Sequence, residues 1–140
     1  MNKYHGDALH TDLYQINMGY AYFKDGIHER KSYFDVYFRK IPFGGGYAVF
    51  AGLAKIIDYV NSFEFSKSDI EFLHELGYEE DFLEYLSAMK FTGSIRSVKE
   101  WEIIFANEPL LRIEAPLIQA QIMETAILNI VNYQILIATK

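Results

Sequence analysis

An arginine beside a glycine-rich loop is the first candidate for binding chemistry in this 140-residue sequence. Arg39 comes at the end of a strand pattern, shortly before Pro42 and the three glycines at 44–46. Binding residues concentrate where strands end in loops, so Arg39 is a candidate ligand for an anion. Asp35, the near acid on the same strand face, lies about 13 Å away at about 3.3 Å per residue, too far for a direct salt bridge. The spacing alone favours a solvated surface arginine.

The glycines at 44–46 also raise the possibility of a phosphate-binding loop. Such loops place their glycines between a strand and the first turn of a helix, whose free N–H groups hold the anion. Here the glycines lead into a second strand pattern, at residues 47–51. We therefore favour a permissive loop that joins two strands.

The four histidines, His5, His10, His28 and His74, offer no convincing chemistry. They have no metal-ligand spacing with one another, and none follows or precedes a nucleophile that it would activate. Tyr14 is harder to assign, because it lies opposite the apolar stripe of the first predicted helix. Periodicity leaves two interpretations of Tyr14 open: a solvent-exposed side chain, or a contact outside the local core.

Composition excludes several classes of function. The net charge is −6 and no stripe of Lys or Arg exists, so we expect no nucleic-acid partner. The absence of cysteine excludes disulfides, a thiol nucleophile and any zinc site built on Cys. Residues 1–10 contain no apolar run of signal-peptide length, and residues 122–137 are interrupted by polar side chains. We expect that stretch to fall short of a membrane span, which needs about 20 apolar residues, and the protein to be soluble and cytoplasmic without a membrane partner.

The elements that position these residues begin with a helix. Asp12 and Gln15 resemble a capping box that opens it, and Gly26 lies just beyond its expected end near Phe23. One face of this helix is expected to meet the core, through Leu13, Ile16, Tyr20 and Phe23. A strand at residues 31–40 follows, with Phe34, Val36 and Phe38 on its core side and Tyr33, Asp35, Tyr37 and Arg39 on the other.

The remaining pattern mixes helices and strands without regular alternation, which indicates an α+β fold. A helix begins near residue 53, a second opens with a capping box of Ser68 and Glu71, and a third contains Phe82. Strands are predicted at 93–98, 102–105 and 110–115. A long helix after Pro116 is apolar on more than one side and reaches Lys140 without a terminating residue, so we expect it to continue into further structure.

Five ordered segments of the chain resemble the nicotinate phosphoribosyltransferase family. They are residues 11–15 (TDLYQ), 38–47 (FRKIPFGGGY) followed by 50–53 (FAGL), 91–93 (FTG), 107–112 (NEPLLR), and Glu124 and Thr125 with Asn129. The resemblance covers nearly the whole chain. It implies the N-terminal domain of a type II phosphoribosyltransferase at residues 1–116, with residues 117–140 as a long helix leading toward an α/β barrel that this chain lacks.

The resemblance also implies an activity. Enzymes of this family transfer the phosphoribosyl group from phosphoribosyl pyrophosphate to nicotinate, forming nicotinate mononucleotide and pyrophosphate for NAD salvage. The reaction is coupled to ATP hydrolysis through a phosphohistidine, so ATP and Mg²⁺ are implied for the complete enzyme, whereas this chain alone is expected to bind neither. A homodimer with shared active sites is implied as well.

Three site residues carry over from the family by position. Tyr14 resembles the tyrosine that stacks on nicotinate from across the dimer, Arg39 resembles an arginine that reaches the pyrophosphate group, and Asp12 is expected to help place the Tyr14 segment. No catalytic residue or metal ligand carries over, and no histidine matches the phosphorylated one, so the isolated chain is expected to be inactive. Two alternatives stay open: an inactive assembly or binding module, and part of a sister enzyme that uses nicotinamide.

Overall fold

The computed structural model describes residues 8–140, which form five helices and five strands. A three-stranded antiparallel sheet has the order β1-β5-β3, and a separate pair joins β2 to β4. Helices and strands alternate irregularly along the chain, so the predicted α+β class is confirmed. The elements are α1 (Leu13–Lys24), β1 (Lys31–Val36), β2 (Ala48–Val49), α2 (Leu53–Ser62), α3 (Lys67–Glu75), α4 (Glu80–Ala88), β3 (Ser94–Ser97), β4 (Ile103–Ile104), β5 (Leu111–Pro116) and α5 (Leu117–Thr139).

Helix α1 packs along α5. Gly19 permits the close approach, because a Cβ atom there would lie 3.2 Å from Cγ1 of Ile118. The predicted apolar stripe is right for Ile16, Tyr20 and Phe23, which are buried or packed against the core. It is wrong for Leu13, the first residue of α1, which does not face the core and is 55% exposed.

The predicted capping box at the start of α1 is also wrong. Asp12 occupies the N-cap position, but its side chain makes no capping hydrogen bond. Its carboxylate instead lies 3.0 Å from the hydroxyl of Thr125 on α5. The predicted end is confirmed, since α1 stops at Lys24 and Gly26 adopts a φ of +68°.

Strand β1 is shorter than predicted but presents the predicted faces. Its ladder with β5 ends where Val36 pairs with Leu111, the first residue of β5. Beyond the ladder, a backbone hydrogen bond still holds the segment that follows β1. The N–H of Asn107 donates to the carbonyl of Phe38 at 2.8 Å. Phe34, Val36 and Phe38 contribute to the core, as expected, and the alternate side chains are exposed.

The glycine-rich loop joins two strands, as predicted. A 3-10 turn at Pro42–Gly44 is followed by β2, which pairs with β4 through two residues of each strand. Both strands are shorter than the predicted 47–51 and 102–105. The backbone of Phe50 continues the pairing as single hydrogen bonds to Glu102 and Trp101 rather than as a ladder.

The second predicted capping box is misplaced by two residues. Ser66 is the N-cap of α3, its hydroxyl accepts from the N–H of Asp69, and the Asp69 carboxylate accepts from the N–H of Ser66. Ser68 already lies inside the helix, so the Ser68 and Glu71 pair cannot cap it. Helix α3 ends before Gly77, as predicted, and Gly77 has a φ of +92°.

Helix α5 follows β5 directly and contacts α1, α2, β1, β2 and β5. Its burial on more than one side confirms the sequence prediction, and its buried residues belong to the same core as those of the sheet. The expectation that this stretch is too polar to span a membrane is wrong on composition, since its most apolar 18-residue window has a mean hydropathy of 1.3. Core helices of soluble proteins can be equally long and apolar, and 33% of this window is buried inside the protein. The division at residues 116 and 117 stays a prediction.

Candidate anion cleft and helix junction

A cleft between the segment after β1 and the second half of α5 holds Arg39. Its volume is about 440 Å³. Polar lining comes from Arg39, Lys40, Asn129 and Asn132, and no carboxylate is among the lining residues. We call this the Arg39 cleft. It combines two cations with two amide groups beside an apolar wall.

Backbone hydrogen bonds fix the segment that presents Arg39. The N–H of Leu110 donates to the carbonyl of Val36, and the N–H of Asn107 donates to that of Phe38, both at 2.8 Å. Because Phe38 packs against the core, the adjacent Arg39 is directed outward and is exposed. Within residues 8–140 no hydrogen bond or ion pair engages its guanidinium. The sequence prediction that Asp35 does not pair with Arg39 is confirmed, and Asp35 binds Arg112 instead.

The chemistry of the Arg39 cleft suits an oxyanion. A guanidinium donates two parallel hydrogen bonds to phosphate or carboxylate oxygens, and an ammonium such as that of Lys40 adds a mobile point charge. Asparagine side chains supply further neutral N–H donors. Without a carboxylate in the lining, nothing there competes with an incoming anion for the cations.

A polar cluster joins the start of α1 to the middle of α5. It consists of Asp12 and Gln15 on one side and Glu124 and Thr125 on the other, and we call it the Gln15 cluster. The Thr125 hydroxyl donates to Oε1 of Gln15 at 2.7 Å and lies 3.0 Å from Oδ2 of Asp12. Nε2 of Gln15 donates to Glu124 at 3.2 Å. The Gln15 side chain is fully buried, so these bonds satisfy polar atoms that have no access to water.

Tyr14 lies next to this cluster in sequence but on another face of α1. It is 54% exposed and lines neither the Arg39 cleft nor the second cavity described below. Both open interpretations predicted an outward-facing ring, and the structure agrees with them. The ring is therefore accessible to a group outside residues 8–140.

A second cavity of about 260 Å³ lies between α2 and α5. His10, Lys55 and Tyr133 are among its lining residues, and Nε2 of His10 is 3.3 Å from Nδ2 of Asn129. Asn129 lines this cavity and the Arg39 cleft alike. It thus connects the region before α1 with the cleft that holds Arg39.

His28 and His74 line neither the Arg39 cleft nor the second cavity, and that no histidine is a catalytic base stays a prediction. The ring of His28 contacts those of Phe23 and Tyr85, each with its centroid 4.9 Å away. His74 is exposed and lies 3.0 Å from Glu80. His5 is outside the described residues. Within residues 8–140, no group of three or more His, Asp or Glu side chains is placed to hold a metal ion.

Sequence reasoning missed several polar residues of these sites. Lys40, Asn129 and Asn132 line the Arg39 cleft, and Glu124 and Thr125 bind Gln15. All but Asn132 lie in segments that resemble the family, but no site role was assigned to them. A signal was present in the sequence, because polar residues interrupt the otherwise apolar α5. A polar side chain in a helix that must be buried needs a partner, so each interruption marks a contact to be found.

Comparison with known proteins gives one consistent family. Residues 9–132 match the model of the nicotinate phosphoribosyltransferase (NAPRTase) N-terminal domain. The nicotinate phosphoribosyltransferase of Bacillus subtilis (strain 168) is 61% identical over 134 residues, which are 95% of this chain and 27% of that protein. That of Caenorhabditis elegans is 45% identical over 135 residues, covering 94% of this chain and 24% of the relative. The chain thus spans about a quarter of the length of these relatives.

Solved structures agree with the sequence comparison. The crystal structure of human nicotinic acid phosphoribosyltransferase superimposes with a TM-score of 0.86 at 33% identity, over 92% of this chain and 27% of that one. The nicotinate-nucleotide pyrophosphorylase of Pyrococcus furiosus gives a TM-score of 0.65 at 18% identity, over 89% of this chain and 25% of that one. At that identity the second match shows a shared fold alone.

Proposed function

The chain belongs to the family of nicotinate phosphoribosyltransferase N-terminal domains, and from that premise we propose that it supplies part of a composite active site. The complete enzyme would transfer the phosphoribosyl group of phosphoribosyl pyrophosphate to nicotinate, yielding nicotinate mononucleotide and pyrophosphate in NAD salvage. This chain contributes binding groups rather than the reacting ones. The 140 residues alone are then expected to be inactive, because catalysis needs both substrates held together.

The observation that carries this proposal is the unpaired Arg39 guanidinium in its cleft. Phosphoribosyl pyrophosphate presents several phosphate oxygens, and Arg39, Lys40 and the two asparagines offer it N–H donors without a competing acid. We propose that Arg39 contacts the pyrophosphate group. In this role it binds the donor and neutralises charge on the pyrophosphate as that group leaves.

Tyr14 is proposed to stack on the pyridine ring of nicotinate in the other subunit of a homodimer. Its exposure supports this role, because a ring that is 54% accessible in one chain has a face left for an external partner. Aromatic rings prefer offset stacking or edge contacts with each other, and a flat pyridine ring meets that geometry. Asp12 is proposed to hold the segment in place through Thr125.

ATP and Mg²⁺ are proposed cofactors of the complete enzyme, held by groups outside this chain. Residues 8–140 offer no cluster of acids and histidines that fits a metal ion, so no step is assigned to Mg²⁺ on these residues. We further propose a cytoplasmic location without nucleic-acid or membrane partners, supported by the negative net charge and by the packing of α5 into the core.

The proposed function is tested with the purified full-length protein that contains this chain. Nicotinate, phosphoribosyl pyrophosphate, ATP and Mg²⁺ are supplied, and nicotinate mononucleotide and pyrophosphate are quantified by chromatography. We expect both products in equal amounts. No nucleotide product from nicotinate would refute the proposal, and faster turnover of nicotinamide in a parallel reaction would assign the chain to the sister enzyme.

The same assay on the purified 140-residue polypeptide tests its role as a binding part. We expect no nicotinate mononucleotide when the polypeptide is prepared from a host that lacks its own enzyme. Product formation by this polypeptide would show that residues 1–140 contain the reacting groups, against the proposed division of labour.

A further inference from the structure

The first turn of α1 contains Tyr14 but lacks a cap of its own. The opening N–H groups of a helix have no partner inside the helix, and a side chain at the N-cap normally satisfies one of them. Asp12 is at that position without making such a bond, and the first turn contains no acidic residue. An uncapped, half-exposed first turn frays readily, which would leave the Tyr14 ring without a fixed position.

Helix α5 restrains this turn, together with the hydroxyl of Thr11, which also donates to Oε1 of Gln15. The Thr125 hydroxyl reaches across to Gln15, the third residue of α1, and to Asp12 at the N-cap. Glu124 accepts from the other end of the Gln15 amide, at 3.2 Å. Both ends of a fully buried side chain in the first turn are thus bound to α5.

The hydroxyl of Thr125 bonds to another helix, which is uncommon for a threonine inside a helix. Such hydroxyls commonly bond back to a carbonyl of the preceding turn of their own helix. Thr139, on the same helix, does so by donating to the carbonyl of Ile135. The hydroxyl of Thr125 instead points to α1 and spans the two residues that flank Leu13 and Tyr14.

We propose that Thr125 and Gln15 are positioning residues for Tyr14. Their hydrogen bond fixes the first turn of α1, and thereby the direction in which the Tyr14 ring leaves the helix toward nicotinate. The proposal rests on the proposed function and deepens it, since it assigns nicotinate recognition to a contact between α1 and α5. Neither residue touches the substrate, and each acts through Tyr14.

The test is a double-mutant cycle in the full-length enzyme. Thr125→Val keeps the shape of the side chain and removes the hydroxyl, Thr125→Ser keeps the hydroxyl, and Tyr14→Ala removes the ring. We expect Thr125→Val to lower kcat/KM for nicotinate by about threefold to tenfold, the equivalent of one hydrogen bond. Thr125→Ser should restore most of the loss, and the KM for phosphoribosyl pyrophosphate should not change.

The decisive measurement is the effect of Thr125→Val in the Tyr14→Ala background. Substitutions of residues that act through one another have non-additive effects. If Thr125 acts through Tyr14, adding Thr125→Val to Tyr14→Ala should lower kcat/KM for nicotinate less than twofold further. Thr92→Val is the matched control, because it breaks the hydrogen bonds between the Thr92 hydroxyl and Gln119 of the same helix, which involve no residue of α1. It should lower the melting temperature without changing the nicotinate parameters.

Two results would overturn the positioning role while leaving the proposed function intact. One is an active enzyme in which Thr125→Val and Tyr14→Ala have additive effects on nicotinate use. The other is an equal loss of kcat/KM for nicotinate in Thr125→Val and Thr92→Val. That result would mean that lower protein stability, and not the position of Tyr14, causes the loss. Thr125→Ala replaces the valine variant if that protein does not fold. An inactive wild-type enzyme would instead refute the proposed function itself.

Discussion

Arg112 binds Asp35 across the β1 and β5 pair through both oxygens of the carboxylate. Nε of Arg112 lies 2.6 Å from Oδ1, and Nη2 lies 2.7 Å from Oδ2. The two residues are direct partners in the antiparallel register. The contact gives the Asp35 carboxylate a partner, whereas strand spacing already places Asp35 too far from Arg39 for a direct salt bridge.

The first prediction concerns this pair and pH. The hydrogen bonds from Arg112 hold the pKa of Asp35 below its ordinary value of 3.8. A group whose pKa is lowered by folding stabilises the native state above its unfolded pKa and loses that effect as pH falls through the folded pKa. Asp35→Asn should therefore melt at a lower temperature than the wild type at pH 7. The gap should narrow below about pH 4, and a gap that is constant between pH 7 and pH 2 would contradict this.

The second prediction concerns Arg39. Arg39→Lys in the full-length enzyme removes the planar pair of donors but keeps the charge. Because hydrogen bonds to charged groups contribute about 1.5–3 kcal/mol each, kcat/KM for phosphoribosyl pyrophosphate should fall about tenfold or more. The melting temperature should barely change, and Arg96→Lys, at an exposed arginine of β3, should leave the kinetics unaltered. A large loss of stability with intact donor kinetics would make Arg39 structural.

The third prediction concerns the ring of Tyr14. Tyr14→Ala should weaken the use of nicotinate by about 0.5–1.5 kcal/mol, the range measured for aromatic pairs, while Tyr14→Phe keeps the ring and costs less. Steady-state kinetics with varied nicotinate measures both. Tyr33→Ala, at another exposed tyrosine, is the control that should have no kinetic effect. Equal losses in the alanine and phenylalanine variants would assign the role to the hydroxyl.

The fourth prediction concerns close packing at Gly93. A Cβ atom there would collide with the carbonyl oxygen of Glu114 and lie 2.7 Å from Cβ of Ala115, both in β5. Gly93→Ala must displace a strand backbone, so we expect about 1–3 kcal/mol of destabilisation in chemical denaturation. Gly46→Ala meets nothing within 4 Å and should stay near the wild type. Unchanged stability in Gly93→Ala would show that β3 shifts without cost.

Local patterns predicted what depends on neighbours in sequence. Alternation identified the core face of β1, and the glycines at 26 and 77 marked the ends of α1 and α3 because each adopts a positive φ. The two wrong capping assignments have different causes. At α1 the carboxylate of Asp12 has a partner on another helix, whereas at α3 the local pattern of Ser66 and Asp69 forms the box in place of Ser68 and Glu71. Asp12 contacts Thr125, which lies 113 residues further along the chain, and no local pattern indicates that contact.

The same limit applies to the site. The roles of Arg39, Tyr14 and Asp12 came from the family resemblance. Asn129 belongs to a resembling segment as well, but its place in the Arg39 cleft beside Asn132 depends on how α5 docks. Glu100 is a similar case at the start of α2. Its carboxylate accepts from the N–H groups of Gly52 and Leu53, both at 2.8 Å, across more than forty residues of sequence. Tertiary contacts of this kind follow from packing, which the sequence pattern does not specify.

The strand order β1-β5-β3 has a consequence for the way the chain is made. Both outer strands are synthesised before the central one. Helices α2, α3 and α4 are made between β1 and β5, so β1 has no partner strand until β5 leaves the ribosome. Pairing between distant segments is slow, because loop closure lowers entropy before any contact forms. The helices α3 and α4 can assemble early, while β1 and β3 remain without the strand that joins them. Residues 111–116 supply the strand that pairs with both, and α5, which follows β5 in the chain, packs against β5 and β1.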